Sequence, residues 1–151
     1  MDSEVKQHLI NACAAYVEQK LQTVQQAIDD LEAALKLETK CSMGDKYETG
    51  RAMLHLEFEK LAGQHAEFRK LRKTVRIIPP GRKGERVTFG SVVKTSAANY
   101  FIAIPAGEIK IDRDKFYAVG ATSPIALALS GKTGGEKFIF NEREILIKEV
   151  I

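Results

Sequence analysis

Thr39-Lys40-Cys41-Ser42-Met43-Gly44-Asp45 separates two helical patterns, and the sequence on either side of it decides the fold. Before it, Ile10, Ala14, Val17, Leu21, Val24, Ile28, Leu31 and Leu35 keep the alternating four-three spacing of a coiled-coil seam. After it, Leu54, Phe58, Leu61, His65, Phe68 and Val75 form a second seam. A short connection containing a glycine can turn the chain, so the spacing predicts two long helices packed antiparallel. Arms of roughly 30 residues would reach about 45 Å, farther than a small globule covers.

The hairpin pattern stops at Ile77-Ile78-Pro79-Pro80-Gly81-Arg82-Lys83-Gly84, where two prolines cannot continue a helix. Beyond it the period changes. Val87–Val93, Tyr100–Ile104, Phe116–Val119, Lys137–Phe140 and Ile145–Val150 read as strands. One short helix interrupts them, with Ser123 as N-cap, Pro124 at its first position, Ile125–Leu129 as its body and Gly131 beyond its end. Thr133-Gly134-Gly135-Glu136 reads as a turn. The expected organisation is α+β: an antiparallel coiled-coil hairpin over 1–78, a linker over 79–86, and a small antiparallel sheet with one helix over 87–151.

Composition sets further bounds. The 151 residues carry a net charge of +3, too small by itself to mark a polyanion binder. No stretch approaches the ~20 consecutive apolar residues of a membrane span, and Met1-Asp2-Ser3-Glu4-Val5 lacks a secretory pattern, so a cytoplasmic protein with no membrane partner is expected. Cys13 falls near the base of the predicted hairpin and Cys41 near its tip, too far apart for a disulfide, so both are read as free thiols. His8 and His55 have no metal-ligand spacing with a cysteine, and His65 belongs to the seam. Gly131-Lys132-Thr133 ends a helix instead of opening one, which excludes a phosphate-binding loop.

Three groups of residues invite a chemical reading. Asp45 and Glu48 stand three apart at the predicted turn of the hairpin; in a helical turn they share a face and can reach one cation, and the same spacing also describes a capping box. Arg69, Lys70, Arg72, Lys73 and Arg76, then Arg82, Lys83 and Arg86, make a basic segment, either a solvated face or a phosphate contact, with Arg69, Lys73 and Arg76 the candidates for that contact. Ser123 and Pro124, by themselves, start the short helix.

Gly44-Asp45-x-x-Glu48, then Val87-Thr88-Phe89-Gly90-Ser91-Val92-Val93, then Thr122-Ser123-Pro124-Ile125-Ala126 with Leu129-x-Gly131-Lys132, resemble in order and spacing the Gre family of bacterial transcription elongation factors. The resemblance implies a coiled-coil finger followed by an FKBP-like domain. The globular domain would dock at the rim of the RNA polymerase secondary channel through the segment holding Ser123 and Pro124. The finger would enter the channel and bring Asp45 and Glu48 to the polymerase's active centre and the nascent RNA 3′ end. There the two carboxylates would help hold Mg²⁺ and position water for hydrolysis of backtracked RNA. The factor would carry no cofactor in isolation and would not be an enzyme itself.

Family tips commonly place small or uncharged residues between the acids, where this chain has Lys46-Tyr47. The alternative expectation is accordingly a secondary-channel binder that modulates or inhibits the polymerase without stimulating cleavage. A prolyl isomerase follows from the implied FKBP-like fold alone, and the absence of Trp argues against its pocket.

Overall fold

A computed structural model describes residues 2–40, 44–81 and 84–151, with side chains described over 3–37, 49–81 and 84–151. The two helical patterns become α1, Asp2–Lys40, and α2, Gly44–Arg76. At 1.5 Å per residue these are about 58 and 50 Å long. The turn residues Cys41, Ser42 and Met43 lie outside the described residues.

The packing divides the chain into two compact units, Val17–Arg72 and Met1–Tyr16 with Lys73–Ile151. In the first, Val24, Ile28 and Leu31 of α1 bury against Leu61 of α2, with Leu54, Phe58 and Phe68 packed around them. The pairing of early α1 positions with late α2 positions is the antiparallel hairpin that the two seams predict. Arg72 Nη1 lies 3.5 Å from Glu18 Oε1 and ties the two helices at one end of this unit.

Toward the start of α1 the seam runs differently from the sequence reading. Leu9 and Cys13 are fully buried, whereas Ile10 and Ala14 are half-buried. Lys6 is buried one turn before Leu9, and its ammonium donates a 2.8 Å hydrogen bond to the Gly81 carbonyl. A lysine in an apolar row breaks the pattern, so its burial does not show in the spacing. Its cost of burial is offset by the bond to the segment that follows α2.

Helix α2 ends where the prolines begin. Ile77 and Ile78 close its last turn with i→i−3 bonds to Thr74 and Val75, each 3.2 Å, and Ile78 is buried. Pro79 packs on Gly90, whose φ of +89° only glycine adopts without strain. The segment expected as a linker is therefore anchored at Pro79 and Gly81, just after the buried Ile78; Arg82 and Lys83 lie outside the described residues.

Among the described residues six strands follow: β1 Val92–Thr95, β2 Asn99–Ala103, β3 Gly107–Ile111, β4 Asp114–Gly120, β5 Lys137–Phe140 and β6 Arg143–Val150, with α3, Pro124–Leu129, between β4 and β5. Their order across the sheet is β3-β4-β2-β1-β6-β5. The sheet is mostly antiparallel, as expected, with one parallel pair, β2 and β4, in which Asn99 stands opposite Phe116 and Ala103 opposite Gly120. The reason is β3, which the sequence reading missed. It forms the outer edge and pairs antiparallel to β4, so the chain reverses twice between β2 and β4.

Strand β1 also starts later than expected. Residues 87–91 form a turn instead, held by Ser91 N–H on the Thr88 carbonyl and by Thr88 N–H on Ser91 Oγ, both 3.0 Å, while Gly90 N–H reaches the Ile102 carbonyl at 2.7 Å. Val87 is buried but bonds to Gly131 and Lys132, beyond α3. Ile125, Ala126 and Leu129 of α3 pack with Val87, Val93, Ile102, Ile147 and Val150 to make the core of this unit.

Candidate functional site

Helix α2 begins at Gly44, so the backbone of Asp45 and Glu48 lies in its first turns, beside the three-residue connection from α1. The side chains of both acids lie outside the described residues, as do those of Lys46 and Tyr47.

The basic run separates into two groups. Arg72 is engaged with Glu18, and Lys70 Nζ pairs with Glu67 Oε1 at 3.1 Å. Arg69, Lys73 and Arg76 are exposed and spaced by four and then three residues along α2, which is the repeat of one helix side. Lys73 and Arg76 also fall in the last turn, where positive charge complements the carbonyl end of the helix.

Ser123 caps α3 with extended backbone, φ −65° and ψ 154°. Its hydroxyl donates to the Gly120 carbonyl at 2.7 Å and accepts from Ala126 N–H at 3.3 Å, so both its roles are local. Pro124 follows at the start of the helix and is exposed, and Leu127, three residues on, is 62% exposed. Starting the helix is thus accounted for by Ser123, while Pro124 and Leu127 leave an apolar surface uncovered.

Other groups carry less chemistry. Cys13 is a buried free thiol whose pKa burial pushes up to about 12; Cys41 lies outside the described residues. His8 and His55 are exposed and His65 is half-buried, and among the described residues no three His, Cys, Asp or Glu side chains gather to hold a metal. Glu136 accepts from Thr133 N–H and, at 3.2 Å, from Thr133 Oγ1. The Thr133 backbone bond above all holds its carboxyl below the ordinary carboxylate range, with Lys132 and Arg86 adding to it. Burial, then the neighbouring Tyr117 ring 6.2 Å away, raises the Tyr100 hydroxyl. A shallow cleft of about 340 Å³ is lined by Glu85, Thr133, Gly134, Lys148, Glu149 and Val150 and holds no aromatic side chain. It lacks the apolar lining of a small-molecule pocket.

The exposed apolar side chains of the hairpin unit were missed in the sequence, although their signal is visible there. Leu37, Met53 and Leu56 fall outside the four-three rows, and the structure leaves them 63%, 66% and 67% exposed.

No family model matches this chain, and no curated protein matches it. Among solved structures, one described as "Structure of the transcription factor Gfh1" is similar at 19% identity, covering 92% of this chain and 93% of that chain, with a TM-score of 0.39. At that score the likeness carries no functional argument.

Proposed function

We propose that the protein is a Gre-like transcription factor that binds the secondary channel of RNA polymerase and stimulates the polymerase's own cleavage of backtracked RNA. The observation that carries this reading is the position of Asp45 and Glu48 in the first turns of α2, where a long antiparallel hairpin reverses. A pair of carboxylates at the far end of two extended arms suits a site that lies in another molecule. The ordered motifs that resemble the Gre family support the same reading.

Two-metal hydrolysis of a phosphodiester uses one ion to activate water and a second to stabilise the leaving oxygen, and oxygen donors suit Mg²⁺. Asp45 and Glu48 would supply such oxygens and orient the attacking water. Two carboxylates are too few to hold the ion firmly without the partner. Arg69, Lys73 and Arg76 would contact phosphates of the displaced RNA. Pro124, with Ser123 setting its helix, would dock at the channel rim.

Lys46 between the acids favours the second reading, a channel binder that modulates the polymerase without cleavage, since a cation there opposes recruitment of another. A transcript-cleavage assay on stalled elongation complexes across a Mg²⁺ titration separates the two. Shortened RNA that appears only with the factor supports the first; binding without cleavage at every Mg²⁺ concentration selects the second.

A further inference from the structure

The two edges of the sheet are built differently. In the order β3-β4-β2-β1-β6-β5, strands β3 and β5 are the outer ones, and among the described strands each has a neighbour on one side alone. Strand β3 alternates Ile109 and Ile111 with exposed Glu108 and Lys110, the charged kind of edge that resists pairing with another strand. Strand β5 reads Lys137-Phe138-Ile139-Phe140, with no charge after Lys137. Its Ile139 is 76% exposed, more than any other large apolar side chain among the described residues.

The register says which backbone groups of β5 stay open. Phe140 faces Arg143 across the two-residue turn Asn141-Glu142, whose φ values of +51° and +64° are those of a tight hairpin, and Phe138 faces Ile145. Residues flanking such a turn exchange their hydrogen bonds, so Phe140 and Phe138 bond to β6 and Ile139 directs its N–H and C=O away from it. Side chains alternate in the same way: Phe138 and Phe140 are half-buried against the core that contains α3, and Ile139 lies on the opposite face.

A second copy of the same edge fits these constraints. Two β5 strands related by a two-fold axis at Ile139 run antiparallel, and the open N–H and C=O of one Ile139 meet those of the other in a hydrogen-bonded pair. Phe138 of each copy then stands opposite Phe140 of the other, and the two isoleucines cover one another. At the ends Lys137 falls opposite Asn141 and beside Glu142 of the other copy, so opposite charges meet twice. Glu136 keeps its carboxylate on Thr133 in its own turn. A foreign peptide would find the same open backbone but not this matched set of ends.

We infer that β5 is a self-association edge, at which two copies of this chain join antiparallel about Ile139 into one continuous sheet. The paired segment is short and buries less than the ~1,600 Å² of a standard interface, so the association is weak, with a Kd on the order of 100 μM. It does not depend on the channel-binding reading.

Sedimentation equilibrium from about 5 μM to about 1 mM should show the mass of the full chain rising toward that of a dimer. Ile139→Lys sets two ammonium groups opposite each other at an exposed position, so it should raise the Kd at least tenfold while thermal unfolding stays near wild type. In a Cys41→Ser background, Ile139→Cys places two thiols on residues about 5.5 Å apart, within disulfide reach, and mild oxidation should give a covalent dimer. Leu127→Cys, also exposed, should not. Wild type that stays monomeric over this range, an Ile139→Lys variant that dimerises with the wild-type Kd, or oxidation that joins the Leu127→Cys chain as readily would each overturn the inference.

Discussion

Gly90 and Gly131 both hold left-handed backbone, at φ +89° and +77°, yet the structure gives them different tolerances. A Cβ at Gly90 would stand 2.9 Å from Pro79 Cδ, on the rigid ring that anchors the segment after α2. At Gly131, just past α3, a Cβ would meet nothing within 4 Å. Gly131→Ala should therefore cost only the backbone strain, about 1 kcal/mol. Gly90→Ala adds a steric clash and should cost about 3 kcal/mol. Denaturant unfolding of the two variants checks the difference; equal losses would mean that the Pro79 contact contributes nothing. In the sequence Gly90 stands inside an apolar run that reads as a strand. Its left-handed backbone belongs to the turn that replaces the start of that strand, and the approach of Pro79 comes from outside the run, so the period-two pattern shows neither.

At the scale of elements, α3 and the turn before β5 make opposite demands on their polar groups. Ser123→Ala removes the side-chain cap at the start of α3 and should lower stability by about 1 kcal/mol in thermal or denaturant unfolding. If the same change weakens polymerase binding by more than this loss of stability explains, the hydroxyl has a docking role that its two local bonds do not suggest. Glu136 makes its contribution by charge. Its carboxyl is held below the ordinary value of 4.5, so the stabilisation is fully present above that value and is lost as pH falls through the lowered pKa of the folded state. Glu136→Gln should lower the Tm at neutral pH, with the gap to wild type closing in acid. A gap independent of pH would assign the effect to turn geometry.

Elements with strong local signals were legible in the sequence: both helices, α3 with its cap, β5 at its observed limits and the hairpin pairing. Strand β3 was not identified, although Ile109 and Ile111 alternate with Glu108 and Lys110, because its short run is as charged as a loop. The parallel β2–β4 pair was hidden for the same reason, since it depends on where β3 goes. For the candidate site, the spacing of Asp45 and Glu48 was visible at once. The apolar end of the hairpin emerged only when exposure was known, because a leucine outside the seam looks the same in sequence whether covered or bare.

For the molecule as a whole, the charge asymmetry along α2 gives a distinct expectation. Arg69, Lys73 and Arg76 are the exposed basic residues on the repeat of one helix side, in contrast to Arg72, which is taken by Glu18. Replacing all three with Gln should reduce the dependence of RNA contact on salt, lowering the slope of log K against log salt by about 2 if each meets one single-strand phosphate. Cleavage of RNA with a long displaced 3′ segment should fall more than cleavage of a short one. An unchanged slope would leave these residues as a solvated face.

The central claim is that Asp45 and Glu48 act in chemistry on another molecule. The most direct test measures transcript cleavage, polymerase affinity and thermal unfolding together for Asp45→Ala and Glu48→Ala. The account predicts affinity near wild type and Mg²⁺-dependent cleavage reduced about 10²-fold by each, equivalent to about 2.7 kcal/mol of transition-state stabilisation. Variants that lose about 1 kcal/mol of hairpin stability while cleavage stays near the wild-type rate would contradict it and assign the two acids to the helix start alone.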